Sequence, residues 1–182
     1  MKHYQNQLWA LLLCLVSISC SNDDNHDTET PSKTGGEGTI QLSGPDTTDV
    51  GTTLTVGDVA YGRDDLTGIE ESIVVVNKGA TISEERATGG PANPENLSSI
   101  ITDDKDNGFV IVVGAGAVSM AILIDGTPYR YGCISEGSTT AFSNCESFDF
   151  DIPGKKMVFS NTTVKNTDTG SLLTLDGTVT WD

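Results

Sequence analysis

Histidine is almost absent from this chain of 182 residues, which contains only two. Both of them, His3 and His26, precede residue 39, so the stretch 39–182 has no imidazole. Histidine is the usual general base for serine and cysteine nucleophiles and a common zinc ligand. The sequence therefore excludes Ser-His-Asp catalysis, Cys-His catalysis and histidine-based zinc sites from that stretch. The GxSxG, SxxK and HExxH motifs are missing as well.

Positive charge is also scarce, because 10 Lys and Arg residues stand against 26 Asp and Glu residues. The formal net charge is −16 at pH 7. Such an acidic surface repels phosphate backbones, so we predict no nucleic-acid partner. It also disfavours direct electrostatic docking on anionic lipid, so attachment to a membrane would need a separate anchor.

Apolar runs long enough to cross a bilayer as a helix, about 20 residues, are missing too. The uncharged run 109–124 is shorter, is rich in β-branched residues, and contains Gly114 and Gly116. It therefore predicts two buried strands joined by a Gly-Ala corner. The same glycines begin a dinucleotide-binding fingerprint, but Ser119 replaces its third glycine and no helical pattern follows.

The amino terminus has the parts of an export signal peptide. Lys2 and His3 give a positive start, residues 8–18 form an apolar core, and the small residue Ser19 directly precedes Cys20. This arrangement resembles a bacterial lipoprotein signal, in which the cysteine thiol carries acyl chains such as palmitate and becomes the first residue after cleavage. The resemblance implies lipidation at Cys20 and removal of residues 1–19. The alternative is an ordinary secretion signal, with Cys20 as a spare thiol.

Residues 20–38 contain no large apolar residue and predict a flexible acidic tether. An acyl chain on Cys20 would hold the protein on a membrane, because each buried CH2 contributes roughly 0.8 kcal/mol. The acidic stretch 21–24 resembles the surface-export tags of some outer-membrane bacteria. We therefore expect a protein anchored in the bacterial outer membrane, either periplasmic or surface-exposed, whose residues 39–182 form a single β domain.

The four cysteines have different expected fates. Cys14 lies within the leader, and Cys20 is the lipidation site. Cys133 and Cys145 remain, and an exported chain meets an oxidising compartment. We predict that they form a disulfide, whose short loop contributes roughly 3 kcal/mol in the chain-entropy description. A metal or redox pair is the alternative, but the spacing is not CxxC and no histidine lies nearby.

From Thr39 onward the pattern indicates short strands, because Val, Ile, Thr and aromatic residues fill runs separated by Gly, Asp and Asn. Hairpin turns are predicted at Asn107-Gly108, between strands at 99–102 and 109–113, and at Asp125-Gly126 and Asp176-Gly177, since such dipeptides supply the positive φ angles of tight turns. The polar stretch 80–98 predicts a long loop, either functional or merely mobile.

Strict alternation of apolar and acidic residues marks one further strand. It places Phe148, Phe150 and Ile152 toward the core and Asp149 and Asp151 toward water. Together these signals predict an all-β protein. The expected architecture is an antiparallel β-sandwich of Ig-like or jelly-roll type, with a closed β-barrel as the alternative.

Paired carboxylates, as in glycosidases, are one chemistry that the sequence leaves open. Asp149 with Asp151 and Glu84 with Glu85 are candidate pairs. In a chain with 26 acidic residues such pairs are easy to find, and solvated surface explains them equally well. We therefore predict no catalytic residue and no enzyme activity.

Calcium is the second chemistry left open. Asp103, Asp104 and Asp106 lie in an oxygen-rich stretch that resembles a calcium loop. Lys105 and Gly114, however, stand where an EF-hand needs oxygen ligands. We predict no cofactor, and the three aspartates are the candidate ligands if calcium binds. The alternative is an acidic hairpin tip that keeps a strand edge soluble.

Binding is the remaining class of function. Tyr129 and Tyr131 share one face of a predicted strand, and Trp181 is a further amphipathic ring. Exposed together, these rings would suit stacking on sugars, whereas cross-strand packing is the alternative. The expected function is that of a non-catalytic, lipid-anchored binding or assembly module of the cell envelope. Its candidate partners are envelope proteins or glycans. A glycan-binding surface lipoprotein and a carboxylate-based, glycan-active enzyme are the alternatives.

Overall fold

A computed structural model describes residues 32–62, 67, 69, 71–82, 106–135 and 142–182. The leader, Cys20, the strand predicted at 99–102 and most of the loop predicted at 80–98 lie outside these residues. Within them, no helix has both the length and the apolar composition needed to cross a bilayer.

Ten strands and one short helix make up the described part of the chain. In chain order they are β1 (Ser32–Ser43), α1 (Thr47–Val50), β2 (Thr53–Tyr61), β3 (Ser72–Asn77), β4 (Gly108–Gly114), β5 (Ala117–Ile124), β6 (Thr127–Ile134), β7 (Ser143–Asn144), β8 (Phe148–Asp151), β9 (Lys156–Asn166) and β10 (Leu172–Trp181). The prediction of an all-β protein is confirmed.

The described strands form one sheet in the order β7-β6-β5-β4-β3-β2-β1-β10-β9-β8. An additional antiparallel pairing of β6 with β9 joins the two sides of this sheet. Eight of the described strands therefore close into an antiparallel barrel. β7 lies parallel to β6, and β8 lies antiparallel to β9. The architecture is the closed barrel given above as the alternative, because one sheet closes on itself instead of two sheets facing each other.

Side chains fill the interior of the barrel. Alternate residues of each strand point inward, as the period of two requires. On β5, for example, Val118, Met120 and Ile122 are buried in the interior cluster. Val74 and Val110 are also wholly buried, in a second cluster that includes residues of β2 to β5. Strands β3 and β4 are therefore apolar on both faces, which explains their continuous apolar sequence.

Two of the predicted connections are confirmed. Asp125 and Gly126 have φ angles of 49° and 75°, and they form the turn between β5 and β6. Ala115 and Gly116, with φ angles of 49° and 71°, form the corner between β4 and β5. Asn107-Gly108 precedes and begins β4, but its predicted partner strand lies outside the described residues.

The hairpin predicted at Asp176-Gly177 is wrong. β10 runs without a turn through both residues, with a register shift between Leu175 and Asp176 where it pairs with β9. A Cβ atom on Gly177 would overlap the carbonyl oxygen of Thr39 on β1. The glycine is therefore required for close approach of two strands, not for a reversal of the chain.

The boundary predicted between tether and domain also changes, because β1 begins at Ser32 and not at Thr39. Residues 32–35 pair with β2, and residues 36–38 pair with β10. A Cβ on Gly36 would overlap the side chain of Val59, and one on Gly38 would overlap a backbone oxygen of β10. These glycines, which predicted a flexible linker, permit tight strand packing.

Candidate functional site

The three aromatic candidates do not form an exposed platform. Tyr131 is fully buried and Trp181 is 6% exposed, and both belong to the interior cluster. Trp181 packs against Tyr61, with ring centroids 6.1 Å apart. Tyr129 is half-buried against the same cluster. The alternation places the two β6 tyrosines on one face, as predicted, but that face is the inside of the barrel. Burial therefore removes Tyr131 and Trp181 from a sugar-stacking role.

Of the three calcium candidates, Asp103 and Asp104 lie outside the described residues, and Asp106 is exposed. The backbone oxygen of Asp106 accepts a hydrogen bond of 2.8 Å from Gly126 N–H. The side-chain oxygen of Asn107 accepts one from the backbone N–H of the same turn, at 3.1 Å. These bonds attach residues 106 and 107 to the β5–β6 turn. The described part of the chain contains no cluster of three or more acidic, cysteine or histidine side chains suited to a metal.

The predicted disulfide between Cys133 and Cys145 is present, with an S–S distance of 2.04 Å. Cys133 lies on β6 and is fully buried, whereas Cys145 is half-buried directly after β7. The backbone N–H of Cys145 donates to the carbonyl oxygen of Ile134 at 3.0 Å. The disulfide and this hydrogen bond therefore attach the short β7 segment to the end of β6.

A carboxylate with three side-chain donors lies at the end of the barrel that α1 covers. The Oδ2 atom of Asp46 accepts hydrogen bonds from the Tyr131 hydroxyl at 2.9 Å, the Asn166 amide at 3.1 Å and the Ser171 hydroxyl at 2.6 Å. These four residues, called the Asp46 cluster below, come from the loop before α1, from β6, from β9 and from the β9–β10 turn. Val50 of α1 is buried in the barrel interior.

The electrostatics of the Asp46 cluster favour the ionised carboxylate. Burial acts to raise the pKa of Asp46, but the hydrogen bonds from Ser171, Tyr131 and Asn166 together lower that pKa below its ordinary value of 3.8. Burial raises the pKa of Tyr131, and the neighbouring carboxylate adds to the rise. The cluster therefore holds a fixed negative charge against neutral donors. The cluster links the loop before α1 to β6, β9 and the β9–β10 turn, which closes this end of the barrel. Because three donors already bond to Oδ2, this oxygen can accept few further hydrogen bonds from a substrate.

A shallow cleft of about 250 Å³ opens at the same end of the barrel, and we call it the mouth cleft. Polar residues that line it include Thr55, Asn77 and Lys78. Mouths of barrels are common sites for small ligands, with an apolar floor and a few polar groups. The apolar residues that line it are Val50, Leu54, Phe109, Ile122, Leu123 and Ile124.

A second cleft, of about 530 Å³, adjoins the mouth cleft, and we call it the glycine cleft. The two clefts share Thr55 and Lys78. The carboxylates of Glu37 and Asp58 also line the glycine cleft. Five glycines leave much of its surface to backbone atoms: Gly35, Gly36, Gly38, Gly57 and Gly79. The register between β1 and β2 shifts at this place, which accounts for the depression.

Sequence patterns did not identify Asp46, Asn166 or Ser171, since Asp46 lies 120 positions from Asn166 and 125 from Ser171, and the three belong to no motif. The nearest sequence signal for this cluster is Pro45-Asp46, a dipeptide that predicts a turn.

No protein-family model matches the chain, and no characterised protein or solved structure matches it significantly.

Proposed function

We propose that this protein is a lipid-anchored, non-catalytic binding module of the bacterial cell envelope, and that it binds its partner on the outside of the barrel. One observation carries the proposal: the barrel interior is filled by side chains, whereas two adjoining clefts open on its surface. A filled barrel leaves its outer surface and its ends for recognition.

The direction of β1 supports this arrangement. Ser32 begins β1 at the end where Tyr61 of β2 and Trp181 of β10 also lie. The mouth cleft lies at the opposite end, beside α1 and the beginning of β2. An anchor on Cys20 would join the barrel through Ser32, so the mouth cleft lies at the end of the barrel far from the point of attachment.

The lipid anchor is tested by metabolic labelling of the full chain in a bacterial host with an alkyne analogue of palmitate. Wild type is expected to carry the label and to sediment with membranes, and Cys20→Ala to lose both properties because the acceptor thiol is gone. Cys14→Ala is the matched control, since that residue leaves with the signal peptide, and it should behave as wild type. Label retained in Cys20→Ala would contradict the anchor.

Glycans are the ligand class that the glycine cleft favours. Its exposed backbone, the carboxylates of Glu37 and Asp58 and the ammonium of Lys78 offer acceptors and donors for sugar hydroxyls. Binding of detergent-solubilised full-length protein to an array of envelope glycans tests this class. Lys78→Ala is expected to weaken binding at least tenfold in apparent Kd, about 1.4 kcal/mol, while Lys155→Ala, an exposed lysine near the other end, should have no effect.

The same binding experiments also distinguish a glycan-binding module from a module that binds proteins and from an enzyme. Capture of an envelope protein by wild type but not by Lys78→Ala would support an assembly module and argue against a glycan ligand. Hydrolysis of a bound glycan, lost in Glu37→Gln and Asp58→Asn, would support the carboxylate-based enzyme. Equal glycan binding by wild type and Lys78→Ala would exclude the glycine cleft as the site.

A further inference from the structure

The junction between β6 and β9, called the seam here, is the shortest in the barrel as described. It has two residue pairs, Tyr131 with Asn166 and Gly132 with Lys165. On either side, β5 pairs with β6 through eight residue pairs and β9 pairs with β10 through nine. Because ladder hydrogen bonds are few at the seam, other contacts must hold β6 and β9 together along the rest of their length.

Beyond those two pairs, β7 takes the place of direct pairing between β6 and β9. Ser143 and Asn144 run parallel to β6 beside Cys133 and Ile134. The Ser143 hydroxyl donates to the carbonyl oxygen of Thr163 on β9 at 2.7 Å. The same hydroxyl lies 3.4 Å from the carbonyl oxygen of Gly132 on β6. One side chain of β7 thus contacts both strands of the seam.

Further contacts attach this segment to both strands. On the β6 side, the disulfide from Cys145 to Cys133 is covalent. On the β9 side, the carbonyl oxygen of Ser147 accepts hydrogen bonds of 2.9 Å from the backbone N–H of Ser160 and from the Thr162 hydroxyl. The segment 142–147 therefore bridges the seam with one covalent attachment and several weak ones.

The other end of the seam is held without the disulfide. The Asp46 cluster joins β6 to β9 there. The backbone N–H of Thr167 donates to the carbonyl oxygen of Arg130 at 2.9 Å, and the Arg130 guanidinium lies 3.6 Å from the Asp168 carboxylate. Loss of the disulfide would therefore affect only the half of the seam that β7 occupies.

We propose that the Cys133–Cys145 disulfide is a redox-sensitive closure of this half of the barrel. On oxidation the two thiols lose two electrons and two protons to a disulfide-bearing oxidant, which becomes a dithiol, and the new S–S bond fixes β7 in the seam. A dithiol or phosphine reductant reverses the step, and β7 leaves the gap. The inward-facing side chain of Val164, next to Thr163, then becomes accessible from the side.

The consequence is a barrel that is completed only after export. In a reducing compartment the strand pairings among β1 to β5 and between β9 and β10 form, but half of the seam stays open. In an oxidising compartment the disulfide closes it. The closure does not depend on the ligand proposed above, since it concerns a different part of the barrel, but its timing rests on the export proposed there.

Hydrogen exchange read by mass spectrometry tests the closure on the full chain in detergent. Oxidised wild type is compared with wild type reduced by a phosphine and with a Cys133→Ala/Cys145→Ala variant, and alkylation confirms that the analysed molecules are reduced. We expect exchange to rise on the order of tenfold or more in residues 132–134 and 162–164. Exchange in β3 and β4 should remain unchanged.

Ser143→Ala in the oxidised protein provides an intermediate case, because it removes the hydrogen bond to β9 and keeps the disulfide. It should raise exchange in residues 162–164 by less than reduction does. Unchanged exchange at the seam after reduction would overturn the proposal. An equal rise in β3 and β4, or unfolding of the cysteine variant, would overturn it too, because the disulfide would then stabilise the whole barrel and not the seam.

Discussion

Replacing Asp46 with alanine removes the acceptor that Tyr131, Asn166 and Ser171 share. Tyr131 is fully buried and Asn166 is 3% exposed, so neither donor reaches bulk water without local opening. Ser171 is half-buried and can bond to water instead. Each of the two buried donors left without a partner costs about 1 to 3 kcal/mol, so Asp46→Ala should lower the free energy of unfolding by about 2 to 6 kcal/mol.

Asp46→Asn separates the effect of charge from the effect of hydrogen bonding. Its amide oxygen still accepts hydrogen bonds but carries no full charge, so we expect a smaller loss of about 1 to 2 kcal/mol. Urea denaturation followed by circular dichroism measures both losses as shifts of the midpoint at constant slope. Asp49→Ala is the matched control, because that carboxylate lies on the same helical turn and is exposed.

The pH dependence of stability gives an independent measure of what the charge of Asp46 contributes. The folded-state pKa of Asp46 is lowered below 3.8, so its contribution to stability is present above that pH and is lost as the pH falls through the folded pKa. Asn does not titrate in this window. The stability difference between wild type and Asp46→Asn should therefore shrink on acidification. A constant difference from pH 7 down to pH 2, or an Asp46→Ala variant as stable as Asp49→Ala, would refute the reasoning.

Three further predictions follow from the strand contacts. Tyr131→Phe should cost about 1 kcal/mol, and its effect should largely vanish in an Asp46→Ala background, as a double-mutant cycle would measure. Gly38→Ala should destabilise by about 1 to 3 kcal/mol, because the added Cβ overlaps a backbone oxygen of β10. Gly35→Ala on the same strand meets no atom within 4 Å and should melt like wild type. Removal of residues 171–182 deletes β10 from between β1 and β9, so the cooperative thermal transition should disappear, and normal melting would contradict this.

Local rules predicted correctly what depends on neighbouring residues. Alternation placed Phe148 and Phe150 on the core side, where they stack with ring centroids 5.8 Å apart. The Asp125-Gly126 turn followed from the positive φ angles that a tight hairpin requires. Export chemistry and cysteine count predicted the pairing of Cys133 with Cys145.

Local rules failed where the reason for a residue lies on another strand. Gly177 and Gly38 are needed because a neighbouring backbone passes too close for a Cβ, and sequence alone does not distinguish this from a turn or a linker. The direct pairing of β6 with β9 that closes the barrel consists of two residue pairs, which no periodicity encodes. The Asp46 cluster could not be predicted from the sequence either, because nothing local distinguishes this aspartate from the other residues among the 26 acidic ones.

The position of β1 has a mechanical consequence. β1 pairs with β2 through seven residue pairs and with β10 through eight, so neighbours support it on both sides. A force that pulls on Ser32 along the strand loads these ladders in shear, and many hydrogen bonds resist it together. A strand peeled sideways from an open sheet would instead lose its bonds one after another. Tension arriving through the amino-terminal segment therefore meets the barrel where it resists extension well.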